Sequence, residues 1–122
     1  MDRMIAVATN DQEVASSELK LAKLRADLDY VDSRLLEIVR ARIEVIEQIA
    51  VLKQHYDIPM MQPGRMRVVH ERAQRFADEH RLSPEFLRSL YDLLIGEACR
   101  VEDEIIYADA GQTPDHAVEK QR

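Results

Sequence analysis

The fold of this chain is decided by residues 13–55, which read EVASSELKLAKLRADLDYVDSRLLEIVRARIEVIEQIAVLKQH. Apolar side chains recur there at steps of three and four, which places them on one face of a continuous α-helix. No proline or glycine interrupts the stretch, and most of its residues favour helix. The apolar face comprises Leu21, Leu24, Leu28, Val31, Leu35, Ile38, Val45, Ile49 and Leu52.

A helix over residues 13–55 would be roughly 60 Å long, about twice the ~30 Å width of a small domain. A chain of 122 residues is too short to cover the apolar face of so long a helix. We therefore predict that a second copy covers it, in an intertwined homodimer of all-α, three-helix chains.

Composition and charge exclude several classes of protein. An apolar content of 46% is enough for a folded core, and a net charge of -6 argues against nucleic-acid binding. That charge still allows a local basic pocket for a small anion. Cys99 is the only cysteine, which rules out an intrachain disulfide and fits a reducing compartment. Since no apolar run is long enough for a signal peptide or a membrane span, we predict a cytoplasmic protein without a membrane partner.

The first helix should end near Tyr56, because Pro59 restricts the residue before it and lacks the N–H donor that a helix needs. The connector that follows contains two prolines and a glycine, a strong turn signal. Proline suits a first helical turn, so the second helix should begin between Pro63 and Arg65 and end near His80. Its predicted apolar face comprises Met66, Val69, Ala73 and Phe76 or Ala77.

The third helix should follow Ser83, an N-cap residue with proline after it, and end near Tyr107. Its predicted apolar face comprises Leu87, Leu90, Leu94, Ala98, Val101 and Ile105. The helical domain is therefore expected to span residues 13–107. A flexible N-terminus (1–12) and a polar, disordered tail (108–122) flank it.

Four basic residues are candidates for binding an anion. Arg42 occupies a position of the apolar face, where a buried guanidinium would need an anion, but a snorkelling side chain or an ion pair across the dimer explains it equally well. Lys53 follows about three turns later on the same side, about 16 Å away. Arg25 lies too far along the helix to join them within one chain, whereas its counterpart in an antiparallel dimer could. Arg65 opens the second helix, where backbone N–H groups also favour anions.

Glu102 is the candidate acid, because it lies at the edge of the third apolar face, where partial burial would favour the protonated carboxyl. On the pattern alone, an ordinary exposed glutamate is the simpler interpretation. Other reactive motifs are absent from the sequence: His70 and Glu71 do not continue into the HExxH zinc pattern, and Cys99 has no CxxC partner. We therefore expect neither a metal nor a cofactor.

Most of the chain, roughly residues 21–107, resembles the all-α class of chorismate mutases. The resemblance lies in LRADLDYVDSRLLEIVRARIEVIEQIAVLK, in the proline-containing loop that ends at Arg65, and in LSPEFLRSLYDLLIGEACRVEDEII. The basic residues recur at the spacing of that family. The resemblance implies an intertwined dimer of three-helix chains with two active sites and chemistry that needs no metal or cofactor.

The resemblance also implies roles for the site residues. Arg25 corresponds to an arginine donated by the partner chain, whereas Arg42, Lys53 and Arg65 correspond to basic residues of the same chain. Glu102 falls where the family has Gln or Glu near the ether oxygen of the substrate. The implied reaction is a Claisen rearrangement of a dicarboxylate that carries an enolpyruvyl ether. Arg25 and Arg42 would hold the carboxylates, and Lys53 with protonated Glu102 would stabilise negative charge on the ether oxygen.

Two positions depart from the chorismate mutase pattern. Met66 stands where an acidic residue binds the C4 hydroxyl of the substrate, and Gln62 stands where another acidic residue is common. The segments PMMQPGRMR and CRVED resemble instead the 4-amino-4-deoxychorismate mutases, which serve natural products derived from p-aminophenylalanine. We therefore predict the 4-amino substrate, with Gln62, Met66 and Ala98 among the residues that contact it. Core packing on the second helix is an equally simple explanation of Met66.

Three alternative functions stay open at this point. The first is an ordinary chorismate mutase that forms prephenate. The second is an isochorismate-pyruvate lyase, which shares the fold and tolerates an apolar residue after the loop arginine. The third is a non-catalytic helical dimer, which the complete set of basic residues disfavours.

Overall fold

The computed structural model describes residues 2–108 and the side chains of residues 10–108. Three helices account for most of them: α1 (Asp2–Tyr56), α2 (Arg65–His80) and α3 (Pro84–Ala108). No strand occurs within the described range, so the predicted all-α class is confirmed.

The structure tests the predicted bounds of the helical domain differently at the two ends of the chain. α1 begins at Asp2 rather than near Glu13, and no proline or glycine precedes Glu13 to stop the helix. Flexibility of residues 1–12 stays a prediction. The predicted disordered tail (108–122) lies outside the described residues, apart from Ala108, which is the last residue of α3.

The predicted end of α1 is confirmed at Tyr56. The next residue, Asp57, has a left-handed φ of 56°, and the Ile58 N–H donates to the Lys53 carbonyl oxygen at 2.9 Å. A left-handed residue with such a backward hydrogen bond is a common way to end a helix. The chain therefore turns at once into the loop that leads to α2.

The starts of α2 and α3 use different caps. Gly64 precedes α2 with a φ of 83°, a conformation that glycine adopts more readily than other residues. Ser83 precedes α3, and its hydroxyl oxygen accepts a hydrogen bond from the Phe86 N–H at 3.1 Å, as predicted for an N-cap. Both helices thus begin where the sequence predicted them to begin.

The chain divides into two compact units, Met1–Ala41 and Arg42–Arg122. In the first unit, the described residues belong to one helix whose apolar face is open to solvent within the single chain. Leu24, Leu28 and Val31 expose 62%, 58% and 56% of their surface. None of the helices within the described residues is both long and apolar enough to cross a membrane.

The second unit contains the end of α1 together with α2 and α3. The Arg42 side chain contacts Leu94 and the Gln54 side chain contacts Ile106, so α3 runs parallel to the end of α1. α2 packs against α3. The core of this unit comprises Ala50, Ile106 and Tyr107, with Met60 and Ile105 packed against them.

The buried faces of α2 and α3 differ in detail from the predicted ones. α2 buries Val69, Ala73 and Ala77, whereas Phe76 remains half exposed, so Ala77 is the core residue of the two alternatives. α3 buries Val101, Glu102, Ile106 and Tyr107. The buried side of α3 is therefore rotated slightly from the predicted apolar stripe, towards Glu102.

Candidate active site

A cavity of about 170 Å³ lies within the second unit, between the end of α1, the loop before α2, and helices α2 and α3. Two arginines, one carboxylate and one amide line it, among apolar and sulfur-containing side chains. Such a mixture suits a small ligand with both charged and apolar parts. The lining residues are Arg42, Ile46, Ile49, Met60, Met61, Gln62, Arg65, Met66, Val69, Ile95, Ala98, Cys99 and Glu102.

A larger and more open groove, of about 770 Å³, runs along α2 and the start of α3. Its lining is dominated by polar and charged side chains of both signs, among them Arg67, Glu71 and Asp78. Ligand sites are usually concave and mostly apolar, with few polar groups. The smaller, apolar-walled cavity is therefore the better candidate for an active site.

Lys53 and Glu102 form a hydrogen-bonded ion pair at the wall of the cavity. Lys53 Nζ lies 2.7 Å from Glu102 Oε1, and the two side chains are only 13% and 9% exposed. Lys53 Nζ also donates to the carbonyl oxygen of Met60. Because an ammonium group can donate more than two hydrogen bonds, Lys53 retains a donor beyond these two contacts.

The simpler interpretation of Glu102, as an exposed helical glutamate, is wrong. The residue is 7% exposed and lines the cavity directly. Burial of a lone carboxylate would be costly, but the Lys53 ammonium supplies an opposite charge at hydrogen-bond distance. Lys53 does not line the cavity itself and reaches it through Glu102.

Arg42 is half-buried and lines the cavity. One of its guanidinium nitrogens donates to the carbonyl oxygen of Leu94 at 3.3 Å. Within residues 10–108 it forms no ion pair with a carboxylate, so an ion pair inside the chain does not explain it. Most of its N–H donors therefore remain for a ligand.

The loop before α2 and the first turn of α2 bring the next three predicted residues to the cavity. Arg65 is the first residue of α2, and its backbone N–H donates to the Gln62 carbonyl oxygen at 3.2 Å. The Gln62 side chain donates through Nε2 to the Pro59 carbonyl oxygen at 2.8 Å. Met66 is 39% exposed and lines the cavity, so core packing does not explain it.

The structure thus brings most of the predicted site residues together. Ala98 lines the cavity one turn before Glu102. Arg25 lies in the first unit, where its side chain is exposed, and its part in the site stays a prediction.

The sequence prediction missed several lining residues. Met60 and Met61 gave a signal, since two adjacent methionines are unusual in a solvated turn. Cys99 gave none beyond its position after Ala98, yet its Sγ lies 3.8 Å from Met61 Sδ. Burial raises the pKa of the Cys99 thiol, and the nearby carboxylates of Glu102 and Asp103 raise it further, against an opposing effect of Lys53. The remaining missed residues are apolar: Ile46, Ile49, Val69 and Ile95.

Comparisons with known proteins agree on one family. The sequence profile of the family described as chorismate mutase type II matches residues 24–103. A 4-amino-4-deoxychorismate mutase of Streptomyces venezuelae is 48% identical over 87 residues, which are 71% of this chain and 84% of that protein. A protein of the same name from Streptomyces pristinaespiralis is 45% identical over 94 residues, 77% of this chain and 73% of the relative.

A more distant relative carries a different name. A chorismate mutase of Methanocaldococcus jannaschii is 25% identical over 76 residues, which are 62% of this chain and 77% of that protein. No solved structure gave a significant match.

Proposed function

The chain belongs to the chorismate mutase type II family, and we propose that it converts 4-amino-4-deoxychorismate to 4-amino-4-deoxyprephenate. The family match confirms the resemblance predicted from the sequence and makes the protein an isomerase of the chorismate mutase type. The main support for the proposed site is the cavity, which Arg42, Arg65 and Glu102 line and where Lys53 pairs with Glu102. Support for the amino substrate comes from Gln62 and Met66, which stand at the same cavity in place of acidic residues.

The reaction is intramolecular, so the site has to hold and polarise one molecule. A carbon–oxygen bond of the enolpyruvyl ether breaks while a carbon–carbon bond forms, and no group enters or leaves. Arg42 and Arg65 bind the carboxylates of the substrate and favour its folded, reactive conformer. Fixing that conformer removes much of the entropic cost of the rearrangement.

Negative charge develops on the ether oxygen as the carbon–oxygen bond breaks. Lys53 does not line the cavity, so its positive charge acts on that oxygen from behind Glu102, to which Lys53 Nζ donates at 2.7 Å. Glu102 donates only in its protonated form, since a carboxylate would repel the developing charge. Both interactions are stronger in the transition state than in the ground state, which is the condition for a gain in rate.

We further infer that the active unit is a homodimer. In the first unit, Leu35 and Ile38 of the apolar face of α1 are 56% and 63% exposed, and in the second unit Val45 is 54% exposed. Exposed apolar residues in such number mark an interface, and a second copy of α1 offers a matching one. In such a dimer, Arg25 of the partner subunit completes the carboxylate-binding set. A cytoplasmic location stays a prediction from the sequence.

Product identification tests the proposed reaction. The purified protein is incubated with 4-amino-4-deoxychorismate, chorismate and isochorismate in parallel, and the products are identified by NMR and mass spectrometry. We expect the amino substrate to give a product of unchanged mass, without release of pyruvate. Release of pyruvate and salicylate from isochorismate would instead identify a lyase, and no conversion of any of the three would favour the non-catalytic dimer.

A matched pair of variants ties the activity to the cavity. Arg42→Ala removes a preorganised donor and should lower kcat by about 10²–10³. Arg40→Ala removes the same side chain two positions earlier in α1, where Arg40 is exposed and pairs with Glu37 at 2.7 Å. That variant should keep the activity of the parent protein.

A further inference from the structure

The charged and titratable groups around the cavity come from all three helices. α1 contributes Arg42 and, behind the wall, Lys53; α2 contributes Arg65; and α3 contributes Glu102 and the thiol of Cys99. The loop adds no charged lining residue. Glu102 is the single carboxylate among the described lining residues, and Lys53 Nζ holds it at 2.7 Å. No lining carboxylate is therefore left to pair with a cation on a ligand.

The side-chain amide of Gln62 has one chemically sensible orientation. It lies 2.8 Å from the Pro59 carbonyl oxygen, which can only accept a hydrogen bond. The NH₂ group of Gln62 must therefore face Pro59, because the flipped amide would place two acceptors together. Gln62 Oε1 is left as an acceptor for a donor on a cavity ligand. The thioether of Met66 is only a weak acceptor and carries no charge.

We propose that this site takes its amino substrate as the free amine and excludes the ammonium form, with Gln62 Oε1 accepting one amine N–H. This inference rests on the proposed function. An ammonium placed near Arg42 and Arg65 would face two positive charges without gaining a carboxylate, which is unfavourable. A neutral amine needs only a hydrogen-bond acceptor, and Gln62 supplies it.

The proposal predicts a distinctive dependence on pH. Aliphatic amines titrate between about 8, the value of an α-amino group, and about 10.4, the value of lysine. Below that pKa the free amine is the minor species, and its share rises about tenfold for each pH unit. Chorismate carries a hydroxyl at C4 and has no such equilibrium, so it serves as the internal control.

The experiment measures kcat/KM for 4-amino-4-deoxychorismate and for chorismate from about pH 6 to 9, with the amine pKa of the substrate taken from its own NMR titration. The ratio of the two values cancels the titration of enzyme groups common to both reactions. We expect the ratio to rise about tenfold per pH unit up to the amine pKa. A constant or falling ratio would mean that the ammonium form binds and would overturn the inference.

A variant that adds a carboxylate at the cavity, together with a control variant, tests the same inference. Gln62→Glu adds a carboxylate where the amine binds, so the ammonium form should become acceptable and the ratio should lose its dependence on pH. Gln48→Glu makes the same change at an exposed position of α1 outside the cavity and should keep the slope. If Gln62→Glu fails to fold, Met66→Glu carries the same prediction; a retained slope in the folded variant contradicts the proposal.

Different results would overturn the proposed function and the choice of the free amine. Absence of any turnover of the amino substrate across the pH range would overturn the proposed function itself. Turnover of that substrate with a flat ratio would leave the proposed function intact and overturn only the choice of the free amine.

Discussion

Lys53 Nζ lies 2.7 Å from Glu102 Oε1, in a contact that joins the end of α1 to α3. Both side chains are mostly buried, so each charge depends on the other. The Met60 carbonyl oxygen accepts a further hydrogen bond from the same Nζ and fixes its position from the loop. The pair therefore stabilises the packing of α1 against α3 in the second unit, at the wall of the cavity.

Removal of one charged side chain of this ion pair should lower the free energy of unfolding more than removal of both. Lys53→Met leaves the Glu102 carboxylate buried without an opposite charge, which should lower the free energy of unfolding by about 3–5 kcal/mol. The double variant Lys53→Met/Glu102→Leu removes both charges and should recover much of that loss. Urea unfolding at one fixed protein concentration measures both. An equal or larger loss in the double variant would contradict the mutual dependence of the two charges.

The Cys99 thiol should be slow to react at neutral pH. Burial raises its pKa, and the carboxylates of Glu102 and Asp103 raise it further, so the neutral thiol is favoured over the reactive thiolate. We expect iodoacetamide to alkylate Cys99 more slowly than free cysteine at neutral pH, and the rate to rise only as the pH approaches the raised pKa. Intact-mass spectrometry follows the reaction, with Cys99→Ser as the unlabelled control. A neutral-pH rate equal to that of free cysteine would contradict this account.

Gly64 sets the direction in which α2 leaves the loop. Its φ is 83°, although a Cβ built there would meet nothing within 4 Å, so backbone conformation rather than space requires glycine. Gly64→Ala should lower the free energy of unfolding by about 1–2 kcal/mol.

A second glycine provides the control for that prediction. Gly96 also has nothing within 4 Å of a built Cβ, but it lies inside α3 without a positive φ. Gly96→Ala should therefore be neutral or stabilise by up to about 1 kcal/mol. Equal effects of the two substitutions on thermal or urea unfolding would show that the positive φ of Gly64 does not cause the loss of stability.

The helices were predictable because local rules determine them. The spacing of apolar residues predicts the helices, Pro59 predicts the end of α1, and Ser83 predicts the start of α3. These rules act over a few residues, so they can be applied to the printed sequence. The resemblance to a family predicted which segments of the chain meet at the cavity. The spacing of residues alone could not show that Arg42 and Arg65 lie together.

The burial of Glu102 shows what local rules cannot supply. Its partner Lys53 comes from a different helix, and the contact depends on how α1 and α3 pack. On its own helix, Glu102 is simply a charged residue beside an apolar stripe, so exposure was the simpler interpretation. The start of α1 was missed for another reason. Residues before Glu13 lack the apolar periodicity used to predict the helix, but they can extend a helix that already exists after Glu13, since propagation is easier than nucleation.

The proposed homodimer, in which Arg25 of the partner subunit completes each site, makes a prediction about mixed dimers. Arg25→Ala and Arg42→Ala chains should each be nearly inactive alone, because each lacks one carboxylate-binding arginine. After exchange of subunits, half of the dimers are mixed and each carries one intact site, so about a quarter of the parent activity should return. Native mass spectrometry verifies the exchange. No recovery in a verified mixture would mean that each site is built from one chain.

If this cavity is suited to the 4-amino substrate, that substrate should win in direct competition with chorismate. The purified protein is given 4-amino-4-deoxychorismate and chorismate together at equal concentration, and consumption of both is followed by chromatography, which yields the ratio of the two kcat/KM values. We predict faster consumption of the amino substrate. Faster consumption of chorismate would contradict the assignment and identify the protein as a chorismate mutase in the ordinary sense.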